Sequence, residues 1–503
     1  MAQFTKTHRT AIVLGLLLVM VFLQLAAIQM RSFWEDESVT GRLVHESIGK
    51  ILEQRGNDNH PPLYWLSVAG WSKIAGSSDQ SLKLYSLVWL VAAFLLTYQL
   101  AINLFNDTVA LISVTLFAFS PLVLTYGHNA RYYSMAAALS LLCTYAVYRN
   151  TRSESNRWLF IYAIASLVLI YTVYIGSAVM LALNLWWFIT WLRKDRKFID
   201  ILLWGLAQIF IILTYTPWLT FLQGAANRNF NTLTSTNGLQ DLILRIGYLG
   251  FAFEVGEFFS PLNPMAWLGI IVSTGVCIYA IKKTSQGMGL LLTILTVAGI
   301  VSIAVNLLAV YPQSAWQNLS NRSFFIYPFF LIVLGYGISQ LRGIWLPVSL
   351  LVLLIVNSIG IFNYFTNRQV IKPILTVPWR EIMTDINSRA EADAITVCTN
   401  HDVACFYYQT LYGYERISPN QLGNLLEGHP SEIWWIQSSR GEFANFKGGY
   451  DEQFSLLQDQ YELNETYQYV RHDPQISMLK SRFLGQEDYD YRVSVYKFVM
   501  PTE

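Results

Sequence analysis

The feature that most constrains this chain is the run from Ala11 to Met30, which contains no charged side chain. About 20 such residues in helical form cross the hydrocarbon core of a bilayer, and there the backbone must satisfy its own hydrogen bonds. Comparable runs recur near 82–102, 108–126, 132–148, 158–174, 176–192, 199–219, 265–281, 288–310, 323–340 and 344–364, which makes eleven expected spans. Charged residues are 13% of the chain, against about 25% in a soluble domain. A polytopic α-helical membrane protein follows. Lys6 and Arg9 precede the first run, and bulky Arg31, Phe33 and Trp34 follow it. It is longer than a signal-peptide core and lacks a small-residue cleavage site, so it reads as a retained helix. Net charge is +1, so no global field points to nucleic acid as a partner.

The short loops give an orientation. Arg149, Arg152 and Arg157, then Arg193, Lys194, Arg196 and Lys197, then Lys282 and Lys283, then Arg342 all fall on the side of Lys6 and Arg9. The positive-inside rule makes that side cytoplasmic. The 31–80 segment, the 220–264 loop and the 311–322 loop then lie outside. With an odd number of spans the tail lies outside too, in the plasma (inner) membrane of a bacterium-like envelope.

The tail is a change in composition and so a boundary. Residues 1–365 read as the membrane domain, with its first outer loop at 31–80, and 366–503 as an extracytoplasmic α/β domain long enough for its own core. WREIMTDINSRAEA has helical spacing, and AITVC, EIWWIQS and YRVSVYKFV read as strands. No GxGxxG or GxxxxGK[ST] occurs there, which argues against nucleotide binding. Cys143 and Cys277 fall inside spans and read as core. Cys398 and Cys405 lie in the tail, where an oxidising compartment permits a bridge; with His401 they also form a sparse candidate zinc set.

Chemistry is concentrated just after the first span. FWEDES supplies Glu35, Asp36 and Glu37, and HPPLYWL supplies His60, Tyr64 and Trp65. An acidic cluster in an outer loop is most often a solvated face. Interfacial tyrosines and tryptophans are most often belt residues, and an arginine at a span end most often snorkels to headgroups. His-Pro-Pro by itself can do no more than fix a turn.

The combination is more specific than its parts. The Trp-Asp-Glu stretch after the first span with HPPLYW, SLKLYSLVWLV (Lys83 where an arginine is usual), YGHNARYYSMAAALSLL and NRSFFIYPFFLIVLGYG resembles the bacterial branch of the protein O-mannosyltransferase superfamily. These are GT-C glycosyltransferases of glycosyltransferase family 39, related to the aminoarabinose transferase of lipid A. PWREI and the strand after it resemble the external domain of bacterial members.

The resemblance implies an inverting transferase that moves a hexose or pentose from a polyprenyl-phosphate donor to a hydroxyl of a protein, lipid or glycan acceptor. In that reading Asp36 is the general base, because an acceptor hydroxyl is a poor nucleophile. Arg131, with Arg322 and Lys83, opposes the leaving phosphate. His60, Tyr64, Tyr132 and Tyr133 bind substrate. Glu37 is open between orienting Asp36, capping a helix and holding a divalent metal with His60. Metal dependence is open, and no other cofactor is implied. Glu254 and Glu257 are acidic residues of the fourth outer loop that could face the acceptor. The alternative class is a transporter or flippase of an envelope polysaccharide pathway. A transporter usually carries ionisable residues deep in its spans, and these spans are nearly free of them away from their ends.

Overall fold

The computed structural model of the chain describes residues 6–58, 60–152, 155–193, 198–230, 239–283, 285–308, 318–398, 403–438, 451–469, 473–484 and 493–501. His401 and the basic stretch at 194–197 lie outside them. The membrane part is built from α1 (Lys6–Met30), α2 (Glu35–Leu43), α3 (Ile48–Gly56), α4 (Leu63–Ala75), α5 (Asp79–Leu104), α6 (Asp107–Ala118), α7 (Pro121–Tyr126), α8 (Tyr133–Asn150) and α9 (Arg157–Thr172). It continues through α10 (Ser177–Arg193), α11 (Phe198–Phe230), α12 (Leu239–Val255), α13 (Pro264–Lys282), α14 (Gln286–Leu308), α15 (Leu319–Arg322), α16 (Tyr327–Gln340) and α17 (Trp345–Phe365).

Among the described residues seven helices are long and apolar enough to cross a membrane: α1, α5, α10, α11, α13, α14 and α17. They coincide with seven of the eleven expected spans. The other four fold differently. The expected 108–126 span is broken where Ser120 caps α7 and Pro121 occupies its first turn, since proline cannot continue the preceding helix. The 158–174 and 323–340 stretches form shorter apolar helices. The 132–148 stretch is α8, buried along almost its whole length by α5 and α9, where Ala136, Ala137 and Ala138 permit close approach. The 31–80 and 220–264 segments, read as loops, are largely helical: Ser47 and Ser78 cap α3 and α5, and α12 fills much of the second segment.

The bundle has two chemically different ends. At one end Arg9 pairs with Asp107, the Tyr148 hydroxyl donates to Asn103 O at 2.7 Å, Arg152 reaches Gln286 at 3.3 Å and the Tyr336 hydroxyl donates to Lys283 O at 2.7 Å. Of the basic residues read as cytoplasmic, Arg9, Arg152 and Lys283 lie here. The opposite end carries α2–α4, the loop before α8, α15 and the residues after α17.

Beyond α17 the chain forms α18 (Trp379–Arg389), β1 (Ile395–Cys398), α19 (Val403–Leu411), α20 (Leu422–Leu426), β2 (Glu432–Ser438), α21 (Asp451–Gln460), β3 (Glu462–Gln468), α22 (Pro474–Leu484) and β4 (Val493–Val499). The sheet order is β1-β2-β4-β3, with β1 parallel to β2 and the other pairs antiparallel. Three of the four strands match expected ones. The fourth, β3, reads ELNETYQ, and its exposure on an edge removes the apolar alternation that would reveal it. Cys398 and Cys405 are joined by a disulfide, with Cα atoms 6.0 Å apart.

Candidate active site

The site grows out of the turn between α1 and α2. Four residues after Met30 the chain re-enters a helix, and Glu35, Asp36 and Glu37 occupy its first turn. Carboxylates are favoured there by the helix dipole. Successive helical residues are rotated by about 100°, so Asp36 and Glu37 leave the helix in different directions. The Asp36 side chain is 44% exposed, and that of Glu37 only 1%.

Asp36 meets Arg131. Its Oδ2 lies 3.6 Å from one guanidinium nitrogen, and Arg131 also donates to Asp36 O at 3.2 Å. Arg131 is nearly buried, on the loop between α7 and α8. Burial alone would weaken its charge, but Asp36, Tyr133 and Tyr132 overcome this and hold the guanidinium above its usual range. His60 Nε2 accepts from Arg131 at 3.4 Å, with the Asp58 carboxylate 3.6 Å from Nδ1. Burial depresses the His60 imidazole, Asp58 opposing, so the ring is neutral in the neutral pH range. The rings of Trp65 and Tyr132 each lie 5.5 Å from it.

Arg55, at the end of α3, belongs to the same cluster and was not singled out in the sequence. Its guanidinium lies 4.6 Å from the Trp65 ring, and that of Arg131 5.4 Å from it. Arg55 pairs with Asp58 at 2.7 Å, and burial lowers its basicity, Asp58 opposing. The Nε atoms of both arginines have no hydrogen-bond partner among the described residues. The available signal was Arg55 on an amphipathic helix five residues before His60. What it could not convey is that α3 folds back over Trp65.

Glu37 and Lys83 do something else. Glu37 accepts from the Ala130 amide at 2.7 Å and the Trp34 amide at 3.3 Å, and its carboxylate is 3.7 Å from Lys83. Lys83 donates to the carbonyls of Arg31 at 2.9 Å and Ser32 at 3.0 Å. An ammonium has three N–H donors; two are engaged by these carbonyls, and the charge faces Glu37 at 3.7 Å. This corrects the expectation that Lys83 opposes the donor phosphate: it ties the α1–α2 turn to α5. Burial pushes the Glu37 carboxyl up, with Lys83 and the two amides opposing. Of its three expected roles, capping a helix matches the contact with the Trp34 amide. Among the described residues no three of His, Cys, Asp and Glu gather as a metal site. Glu37 turns to Lys83 and His60 to Arg131, so the pair considered as metal ligands has other partners.

The remaining expected residues are divided. Tyr132 faces His60 and Arg131. The Tyr133 hydroxyl accepts from Asn321 at 3.1 Å. Arg322 is half-buried within electrostatic range of Tyr132 and Tyr133, with no side-chain ion pair among the described residues. Tyr64 is fully buried and its hydroxyl pairs with Ser86 at 3.2 Å, which makes it a wall residue rather than a substrate contact. Glu257 is buried, accepts from Tyr126, Tyr248 and Ser320, and pairs with Lys372 at 3.3 Å. Among the described residues Glu254 accepts from Thr274, at 3.4 Å.

The fold that carries these residues recurs in solved structures. ArnT from Cupriavidus metallidurans in the apo state superposes with a TM-score of 0.58 at 10% identity, over 97% of this chain and 98% of that one. The chain has the GT-C glycosyltransferase fold. ArnT bound to undecaprenyl phosphate gives the same TM-score at 11% identity, covering 98% of both chains. The Archaeoglobus fulgidus oligosaccharyltransferase tethered with an acceptor peptide gives 0.52 at 11% identity, over 92% of this chain and 73% of that one. At these identities the likeness is one of fold. Residues 59–221 match the family model described as dolichyl-phosphate-mannose-protein mannosyltransferase. That stretch holds the HPPLYW and ARYY segments of this GT-C chain, and the resemblance drawn from them is borne out. No curated protein sequence matches the chain.

Proposed function

We propose that this protein transfers a sugar from a polyprenyl-phosphate donor to a hydroxyl acceptor with inversion, using Asp36 as general base and Arg131 as the counter-charge of the leaving phosphate. The observation that carries the proposal is the half-exposed Asp36 carboxylate 3.6 Å from the buried Arg131 guanidinium. The acceptor oxygen forms a bond to the anomeric carbon as the bond from that carbon to the phosphate oxygen breaks. The hydroxyl proton passes to Asp36, and the electron pair of the broken bond stays on the phosphate. Arg131 can offer two parallel N–H donors to that anion, and Arg55 adds charge nearby. The buried rings of Trp65 and Tyr132 back His60 and the two arginines. ArnT, which shares the fold, has been solved with undecaprenyl phosphate, and this supports a lipid-borne donor.

The same reading puts the site on the non-cytoplasmic side, since Arg9, Arg152 and Lys283 lie at the other end of the bundle, and makes residues after 365 an extracytoplasmic domain. The test uses purified protein in liposomes. Labelled undecaprenyl-phosphate hexoses and pentoses are supplied with an envelope extract as acceptor, and the label is expected to leave the lipid fraction. Label remaining in that fraction for every sugar rejects a transferase. Orientation is checked with an impermeant thiol reagent: Lys50→Cys is expected to react in cells with a permeabilised outer barrier, and Arg152→Cys only after lysis.

A further inference from the structure

The polar contacts under Glu37 continue out of the membrane helices into the C-terminal part. We propose that Tyr408 is a positioning residue for Asp36 and Arg131, and that the Cys398–Cys405 disulfide holds it in place, so that transfer depends on an oxidised bridge far along the sequence. This rests on the transferase reading above.

The linkage runs through one disulfide, several hydrogen bonds and two shared helices. Cys405 lies in the first turn of α19 and is bonded to Cys398 at the end of β1. Tyr408 follows three residues later, nearly a turn on. Its hydroxyl accepts from the Phe33 amide at 2.7 Å and donates to Asp79 Oδ2 at 2.5 Å. Phe33 stands in the turn that leads into Asp36. Asp79 opens α5, four residues before Lys83, and so shares a helix face with it. Lys83 in turn holds the carbonyls of Arg31 and Ser32 and faces Glu37, whose other oxygen takes the Ala130 amide next to Arg131.

A second strand of the same clasp comes from α18. Arg380 pairs with Asp79 at 2.7 Å and donates to the carbonyls of Ile28, Gln29 and Arg31 at the end of α1. Those carbonyls have no partner within the helix, and a cation suits that end of the dipole. The Tyr407 ring lies over α2 itself. A Cβ at Gly41 would strike it and crowd Phe33, so the glycine lets α19 approach α2 this closely.

The disulfide has a physical task here. α19 has nine residues, and an isolated helix of under about 12 residues is marginal in water. Linking its first turn to a strand removes much of that freedom. The Phe33 amide is buried, and a buried amide needs a partner. If Tyr408 lets go, the turn that aims Asp36 shifts to find another. A displacement of about 1 Å at reacting groups can cost about 10²-fold in rate.

The experiment uses the full purified chain in liposomes with the undecaprenyl-phosphate sugar that the wild type turns over. Tyr408→Phe keeps the ring packed and removes only the hydroxyl. We expect kcat to fall about 10-fold with the donor KM within about twofold, the signature of an effect confined to the reacting geometry. Cys398→Ser with Cys405→Ser, or reduction, should give a similar loss, and the triple variant should be no slower than the worse of the two. Hydrogen exchange over Phe33–Leu43 should quicken in each. Unchanged kcat and unchanged exchange in Tyr408→Phe overturn the proposal, as does a rise in donor KM alone. If the cysteine variants do not fold, Tyr408→Phe decides. A wild type that transfers no sugar rejects the transferase reading, and the exchange measurement still decides whether Tyr408 holds this turn.

Discussion

Two ion pairs lie side by side and do opposite things. Asp36–Arg131 joins a half-exposed carboxylate to a buried guanidinium, and Glu37–Lys83 joins two groups that are each 1% exposed. Their acids are neighbours in sequence and share a helical turn. The difference is one of unspent capacity. Glu37 takes two backbone amides and Lys83 two backbone carbonyls, so that pair acts as a keel under α2. Asp36 has one charged partner 3.6 Å away, and the Arg131 Nε has no hydrogen-bond partner among the described residues. An acid with room to accept a proton beside a cation with donors to spare is what a transfer reaction needs. Burial sorts the two roles, and residue type does not.

The comparison breaks most sharply at Asp36. Asp36→Asn keeps the shape and removes the proposed base, and turnover should fall by about 10²–10⁴-fold. Expression and detergent stability should fall less than in Glu37→Gln, because the carboxylate is half-exposed and Arg131 keeps its hydrogen bond to the Asp36 carbonyl. Near-normal turnover in that variant would equate the two acids and end the assignment. Glu37→Gln should do the reverse. It leaves the Lys83 charge buried and unpaired, a loss of about 3–5 kcal/mol in comparable soluble cases. The readout is a lower thermal midpoint in detergent, and the double variant Glu37→Gln/Lys83→Met should recover much of it, since an apolar replacement no longer strands a charge.

Arg131 sharpens the exposed side. Arg131→Ala should raise the donor KM by about 10–100-fold, the scale of a lost charge-assisted hydrogen bond at about 1.5–3 kcal/mol. Arg131→Lys should rescue only part of that, because a point charge replaces a planar fork. A donor titration at fixed acceptor distinguishes the two. The smallest effect concerns His60. Its imidazole is depressed by burial, with Asp58 opposing, so it takes up a proton at lower pH than a free imidazole. Turnover should therefore have no limb at ordinary imidazole pH values. A limb there that His60→Asn abolishes would mean that the ring is charged against Arg131.

Much of the scaffold was legible in the sequence because the bilayer imposes a length and a composition on each span. Seven expected spans are long apolar helices for that reason. Where the expectation departed, local chemistry or packing had overridden hydropathy: Ser120-Pro121 splits one run, and α8 reaches its partners through alanines. The strand β3 was hidden because an exposed edge strand has no apolar period to read. At the site, Asp36, Arg131, His60 and Tyr132 were named from motifs and are brought together. Lys83 was assigned to the phosphate because it replaces an arginine, and only its carbonyl partners 51 and 52 residues away give it another task.

By itself the sequence determined that this is a helical membrane protein with an acidic turn after its first span, because hydropathy and short motifs are local properties. Which of two adjacent carboxylates is buried, that Arg55 joins Arg131 against Trp65, and that Tyr408 reaches Phe33 across 375 residues were decided by tertiary structure. A carboxylate's role depends on how many donors surround it and how much water remains. Those donors come from segments whose separation along the chain carries no trace of their meeting in space.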